Sequence, residues 1–295
     1  MEHVQLRLMT YNVGGSHKAS EPNIGKIIQL VQEHEPDILT LQEAREWLDA
    51  EGKPHSVGDS IARALGYTGM YFGPTLSMQE HMHIGQSIFI YNIFHDYLDW
   101  RKGNAVLTRQ GFVRLGNPAS AGEPRNIPLF RPVQYQGNRD TDPRHIVLAR
   151  IKAGAVSPFI VAIHLSTLVG ERGGDQGEIP GKVEEAREMR CEQVRRLLAL
   201  LKEYVLEPGE LVFLMGDFNA TVNEACIASL LKNAGFVYLT PQNEHTATHP
   251  KVSEPIDHIF VYPASRLVGY TCHIIETTKA YQASDHLPVV AEVSV

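Results

Sequence analysis

“LVFLMGDFNAT”, Leu211 to Thr221, decides how this chain is read. An apolar run stops at Gly216, and short apolar runs bounded by turn formers read as buried strands. Asp217 and Asn219 follow, two apart. On an extended backbone both side chains point to one side, while Phe218 points the other way, into the core. Thr221 and Glu224 have capping-box spacing at the head of a helical stretch, Glu224–Ala234. The unit is strand, turn, helix. Its acid and amide could be turn formers before a capped helix. They are also what a site needs to orient a water and hold an anion.

Runs of the same kind recur at Val4–Val13, Asp37–Glu43, Ser87–Asn92, Asn104–Arg109, Arg144–Ile151, Pro158–Thr167, Asp257–Pro263 and Pro288–Val295. Helices are expected at Ile24–Glu33, ending before Pro36, and at Val57–Leu65 and Val183–Tyr204. In the last, Val194, Leu197, Leu198 and Leu201 make an apolar stripe on an amphipathic surface helix. The mixed acids and arginines of Ala186–Arg196 read as its solvated face. Several strands follow one another without a helix between them. This excludes strict βαβ alternation and leaves a mixed or antiparallel two-sheet core with helices outside. Val169–Gly181, rich in Gly and charge, reads as a long loop. With no repeat and no linker, residues 1–295 read as a single domain.

The totals narrow the function. At 295 residues, 43% apolar and 21% charged, the chain is an ordinary globular protein. Its net charge of −7 speaks against a general nucleic-acid binder, although a local basic cleft is compatible with it. Arg109, Arg114, Arg125, Arg131, Arg139 and Arg144 make the middle segment modestly basic. Cys191, Cys226 and Cys272 are far apart and offer neither a metal spacing nor a disulfide framework, so a reducing, cytoplasmic setting is expected. The start lacks the pattern of a signal peptide, and no run is long enough for a membrane span.

Polar residues fall where the apolar runs end. Asn12 ends the first, Glu43 the second and His164 “FIVAIH”; Asp257 and His258 open “DHIFV”, and Asp285 and His286 precede “LPVV”. Each alone has a plain local explanation, as a turn residue, a helix-start acid or a core histidine. All of them together point to a site at strand ends, where a rigid scaffold gathers distant groups.

“TYNVGG”, “LQEAR”, “GNAVLTR”, “AIHLST”, “MGDFNAT”, “PIDHIFV” and “SDHLPV” occur in the order and context of the endonuclease/exonuclease/phosphatase superfamily. The chain resembles that family from Thr10 to Val289. The resemblance implies a four-layer α/β/β/α sandwich of two packed mixed β-sheets flanked by helices. It implies divalent-metal hydrolysis of a phosphate ester, with Glu43 as the primary ligand of Mg²⁺ or Mn²⁺, Asn12 assisting and Asp285 as a ligand or close neighbour. Oxygen ligands suit these hard cations, and no Cys or close His pair offers a zinc site. Asp217 would orient or deprotonate the attacking water and Asn219 would hold a phosphate oxygen. Asp257 would hold His286, and His164 would stabilise the phosphate or protonate the leaving group. Asn104 has a family counterpart near the site, or serves a strand-start turn. His258 is structural.

The substrate stays open within the family. It includes deoxyribonucleases, apurinic endonucleases, tyrosyl-DNA phosphodiesterases, neutral sphingomyelinases and inositol polyphosphate phosphatases. “HLST” with Arg172 after it resembles a motif of the tyrosyl-DNA phosphodiesterases. A phosphate-ester substrate, DNA among the candidates, and a monomer are expected. His81 and His83 are expected at the surface. A non-catalytic binding protein is the opposing reading, and it would have lost some of these polar positions.

Overall fold

Two sheets carry the computed structural model, which describes residues 3–14, 23–49, 51–77, 98–116, 123–133, 135–136, 138–172, 179–205 and 210–295. The expected strand Ser87–Asn92, with His81 and His83, and residues 173–178 of the expected loop lie outside them. In chain order the elements are β1 (Gln5–Asn12), α1 (Ile24–His34), β2 (Ile38–Leu48), β3 (Pro54–Ser56), α2 (Val57–Leu65), β4 (Gly69–Ser77), β5 (Leu98–Thr108), β6 (Arg125–Phe130), β7 (Arg144–Arg150), β8 (Phe159–His164), α3 (Lys182–Tyr204), β9 (Val212–Asp217), α4 (Ala225–Ala234), β10 (Val237–Tyr238), β11 (Asp257–Tyr262), β12 (Gly269–Ile274), α5 (Thr278–Ala283) and β13 (Val289–Ser294).

The first sheet runs β12-β13-β1-β2-β5-β4, with β3 beside β2; the second runs β10-β11-β9-β8-β7-β6. Each has a parallel pair in its middle, β1 with β2 and β8 with β9, flanked by antiparallel neighbours. The carboxyl ends of those four strands therefore share an edge with the amino ends of β13, β11, β5 and β7.

Alternation along the strands builds the layers. In β8 and β9, Ile160, Ala162, Phe213 and Met215 join the core shared with the first sheet. Phe159, Val161, Ile163, Val212 and Leu214 face the other way, onto Val194, Leu197 and Leu201 of α3 and Ile227 and Leu230 of α4. Both faces are buried, which is why these strands read as unbroken apolar runs. Each such side chain contributes about 2 kcal/mol by leaving water. Ile27, Leu30 and Val31 of α1, Ile61 of α2 and Ala280 of α5 cover the first sheet. The result is the sandwich of two mixed sheets between helices. Among the described residues no helix is long and apolar enough to cross a membrane.

Local signals set the ends of several elements. Ser56 caps α2 by accepting from the Asp59 N–H at 3.1 Å. Helix α1 ends at His34, with Glu35 left-handed (φ 41°) just before Pro36. Two expectations at helices are corrected. The capping box at Thr221 and Glu224 does not form: α4 begins at Ala225, and the Glu224 carboxylate is turned onto Arg190. Arg190 is not on a solvated face but 1% exposed, because Glu171 and Glu224 reach it from outside the helix. The strands missed in the sequence lie mainly at sheet edges. β4 and β6 contain Pro74 and Pro128, and edge positions tolerate proline.

Candidate active site

The shared strand edge brings the polar strand-end residues together. Across the second sheet, His164, Asp217 and Asp257 sit side by side in register on β8, β9 and β11. Gly216 lets the strands approach there, since a Cβ would overlap the Ile163 carbonyl oxygen.

Asp217 is the centre of the cluster and is 1% exposed. Its Oδ2 accepts from Asn12 Nδ2 at 3.0 Å, bringing the end of β1 across the sandwich. Asn219 donates its backbone N–H to Asp217 Oδ1 at 2.8 Å and its amide Nδ2–H to the Leu165 carbonyl at 2.9 Å. His164 Nε2 and His286 Nε2 stand 3.4 and 3.7 Å from Asp217 Oδ2. Asp217 and Asn219 do meet, but not on an extended backbone: Asn219 is left-handed, φ 49°. The short side chain of Asp217 closes the turn locally. Phe218 is buried against Phe260 and His258, and His258 donates to the Ala220 carbonyl at 2.8 Å.

His286 hangs on a second set of bonds. Its Nδ1–H donates to Asp257 Oδ2 at 2.9 Å, which aims Nε2 toward Asp217. The Ser284 hydroxyl accepts from the His286 N–H at 3.1 Å and reaches the Asn12 and Gly14 carbonyls at 2.8 and 2.9 Å. It ties the loop before β13 to the end of β1. Buried Thr248 accepts from the Asp257 N–H at 3.3 Å, and its carbonyl takes the Leu287 N–H at 2.8 Å.

Glu43 is not at a strand end. β2 continues to Leu48, and Glu43 sits at a register break against β5 with φ 55°. Such a bulge re-aims a side chain out of the alternation of its strand. The Glu43 carboxylate lies on the bare backbone of Gly14, where a Cβ would overlap it. It takes part in no hydrogen bond or ion pair among the described residues. A half-buried, uncommitted carboxylate in a glycine cradle, near the amide oxygen of Asn12, fits a hard cation that keeps several waters.

A close histidine pair, absent from the sequence spacing, is made by the fold. His249 and His286 lie with ring centroids 4.8 Å apart, and His249 Nε2 is 3.6 Å from Asp285 Oδ2. Three ligand atoms of His249, Asp285 and His286 could surround an ion, as could those of Asp217, Asp257 and His286. The bonding favours another use. His249 Nδ1 accepts from the Lys251 N–H at 3.1 Å, so Nε2 carries the hydrogen and faces Asp285 as a donor. In the second group Asp257 and His286 are spent on each other.

Electrostatics divide the two histidines. Burial works against a charge on His286, but the Asp257 and Asp217 carboxylates overcome it and raise its pKa to about 10. His164 is held well below its ordinary value by burial, then by Arg144 and Lys102. Burial and the neighbouring Asp257 push Asp217 above the usual carboxylate range. At neutral pH, His286 is an imidazolium and His164 is neutral.

Asn12, His164, Asp217, Asn219, Asp257 and His286 thus form one cluster. Glu43 shares a crevice with His164 and Asn104, and Asn104 donates to the His145 carbonyl at 2.9 Å. Asp285 stands beside His249, whose ring lies against that of His286. The sequence reading missed Thr248 and His249, whose stretch “HTATHP” lies on no apolar run. Arg172 is more central than expected, donating to the Asn219 carbonyl at 2.9 Å.

The Endonuclease/Exonuclease/phosphatase family model matches residues 9–286. No curated protein matches the chain in sequence. Among solved structures, an endonuclease/exonuclease/phosphatase from Beutenbergia cavernae is 18% identical with a TM-score of 0.70, over 99% of this chain and 72% of that one. The human Nocturnin catalytic domain with bound sulfate is 17% identical, TM-score 0.63, over 98% and 94%. TDP2 from D. rerio, complexed with a single-strand DNA product, is 18% identical, TM-score 0.58, over 99% of both chains. At these identities the likeness is one of fold.

Proposed function

The chain belongs to the endonuclease/exonuclease/phosphatase family, whose members hydrolyse phosphoester bonds, and from that premise we propose that it is a divalent-metal phosphodiesterase working at Asp217. One observation carries the reading: Asn12, Asn219, His164 and His286 converge on a single buried carboxylate oxygen, Asp217 Oδ2. A structural turn has no use for two histidines aimed at it, one from the end of β8 and one from the loop before β13.

Asp217 orients the attacking water and takes its proton as the oxygen–phosphorus bond forms in line with the leaving oxygen. Burial and the neighbouring Asp257 raise its pKa, which makes it a stronger base than an ordinary carboxylate. The His286 imidazolium, held by Asp257, faces the developing charge and supplies a proton to the leaving oxygen as the opposite bond breaks. The neutral His164 holds a phosphate oxygen as a hydrogen-bond donor, and the Asn219 amide does so by giving up its long contact with Asp217 Oδ2, at 3.4 Å. Glu43, Asn12 and Asp285 would hold Mg²⁺ or Mn²⁺, which supplies positive charge to the non-bridging oxygens.

Single-stranded DNA is the first substrate to try, on the strength of the D. rerio TDP2 complex. We read residues 1–295 as one domain acting as a monomer. The test is hydrolysis of bis-(para-nitrophenyl) phosphate. Turnover that appears with Mg²⁺ or Mn²⁺ and is abolished by chelator supports the proposal. Turnover indifferent to chelator, or none on any phosphate ester by folded, metal-loaded protein, overturns it.

A further inference from the structure

Arg144, the first residue of β7, is 4% exposed. Its Nε is buried without a hydrogen-bond partner. Among the described residues its one ion pair is long, Nη2 to Asp142 Oδ2 at 3.9 Å. Asp142 is already engaged by Lys102 Nζ at 3.2 Å and by the Tyr135 side chain. The buried Arg144 and the half-buried Lys102 therefore share one carboxylate. A buried cation without matched partners is costly. A guanidinium also presents a planar fork of donors that matches a phosphate.

Arg144 and Lys102 open onto one crevice with Asp142, Asn104, Glu43 and His164. Its place in the sheet separates it from the reaction centre. β7 lies beside β8 and two strands from β9, and strands are spaced about 4.8 Å apart. Seen from Asp217, Arg144 lies beyond His164. We propose that the crevice between Lys102 and Arg144 is a second anion subsite, which receives a phosphate group next to the one being hydrolysed. The substrate then carries at least two phosphates. The inference deepens the phosphodiesterase reading and rests on it.

The second phosphate can be the next one along a strand or a terminal group on a small molecule. Three substrates separate these sources: a thymidine dinucleotide, the same dinucleotide with a 5′- or 3′-terminal phosphate, and an unphosphorylated trinucleotide. The wild type is expected to prefer a second phosphate by about tenfold or more in kcat/KM, the scale of a charged hydrogen bond. Preference for the trinucleotide beyond its extra bond identifies a strand; preference for terminal phosphates alone identifies a small phosphomonoester. In Arg144→Gln and Lys102→Gln the preference falls to near unity. No preference in the wild type, or one that survives in both variants, overturns the subsite. A metal-free arm separates this outcome from failure of the phosphodiesterase reading. With chelator present, inorganic phosphate should raise the Tm of the wild type and not that of Lys102→Gln, whose side chain is 17% exposed and tolerates exchange. An equal rise in both, or none in the wild type, overturns the subsite even if no diester is cleaved.

Discussion

Two buried ionic clusters lie back to back across Leu165 and Ser166, and they are built differently. Arg190 is saturated. Its Nη1 is 2.7 Å from Glu171 Oε1 and 3.1 Å from the Ser166 carbonyl, while its Nε and Nη2 bond Glu224 at 3.2 and 2.9 Å. Asp217 also has many neighbours, but His164 and His286 stop at 3.4 and 3.7 Å, beyond the usual range of a good hydrogen bond. One cluster spends its donors on the protein and holds α3 to the loop after β8. The other keeps nitrogen atoms in reserve beside a carboxylate whose pKa is raised. The first is built for stability, the second for chemistry.

Breaking each cluster should separate these roles. The largest effect is expected from His286→Gln, a loss of about thousandfold in kcat/KM, within the range of general acid–base catalysis. A loss of only a few-fold would mean that the imidazolium takes no part. Arg190→Met comes next and acts on stability. Leaving Glu171 and Glu224 buried without their cation costs about 3–5 kcal/mol, readable as a fall in urea midpoint, while kcat/KM of the folded fraction changes little. An unchanged midpoint would erase the comparison.

Gly14→Ala should follow, because the new methyl overlaps the Glu43 carboxylate. A displacement of about 1 Å costs on the order of a hundredfold in rate, and Mn²⁺ affinity measured by titration should fall with it. The pH dependence of stability sharpens the contrast further. His286 has a folded pKa of about 10 against an ordinary 6.5, so the stability it contributes is fully present below the lower value and is lost as pH rises through the upper one. Over that window the Tm of the wild type should fall more steeply than that of Asp257→Asn; parallel curves would contradict the pairing. The smallest effect is Ser284→Ala, about 1 kcal/mol from one lost buried hydroxyl, measured by denaturant unfolding.

The central strands were legible because both their faces are buried, so their apolar runs are unbroken. The edges were not, since β4 and β6 carry prolines and β12 is largely exposed. Position at strand ends singled out Asn12, His164, Asp217 and Asp257, and the structure brings these four together. Glu43 was singled out as well, although it occupies a bulge with a left-handed backbone that no residue pattern announces. Asp217 and Asn219 were placed together on an extended backbone that the structure replaces with a tight turn. His249 was invisible, because its meeting with Asp285 and His286 depends on how Thr248 is bonded to Ile256, Asp257 and Leu287. Arg190 looked solvated because a helix sequence shows which residues share a face, not which loops return to cover it.

The most direct test is kcat/KM of Asp217→Asn on bis-(para-nitrophenyl) phosphate with saturating Mn²⁺, at a concentration of folded protein verified by its unfolding transition. The carboxamide keeps the size of the side chain and removes both the base and the like charge beside Asp257. The account predicts a loss of about thousandfold, about 4 kcal/mol of transition-state stabilisation, with a Tm equal to or above that of the wild type. Undiminished turnover by the folded variant would contradict it.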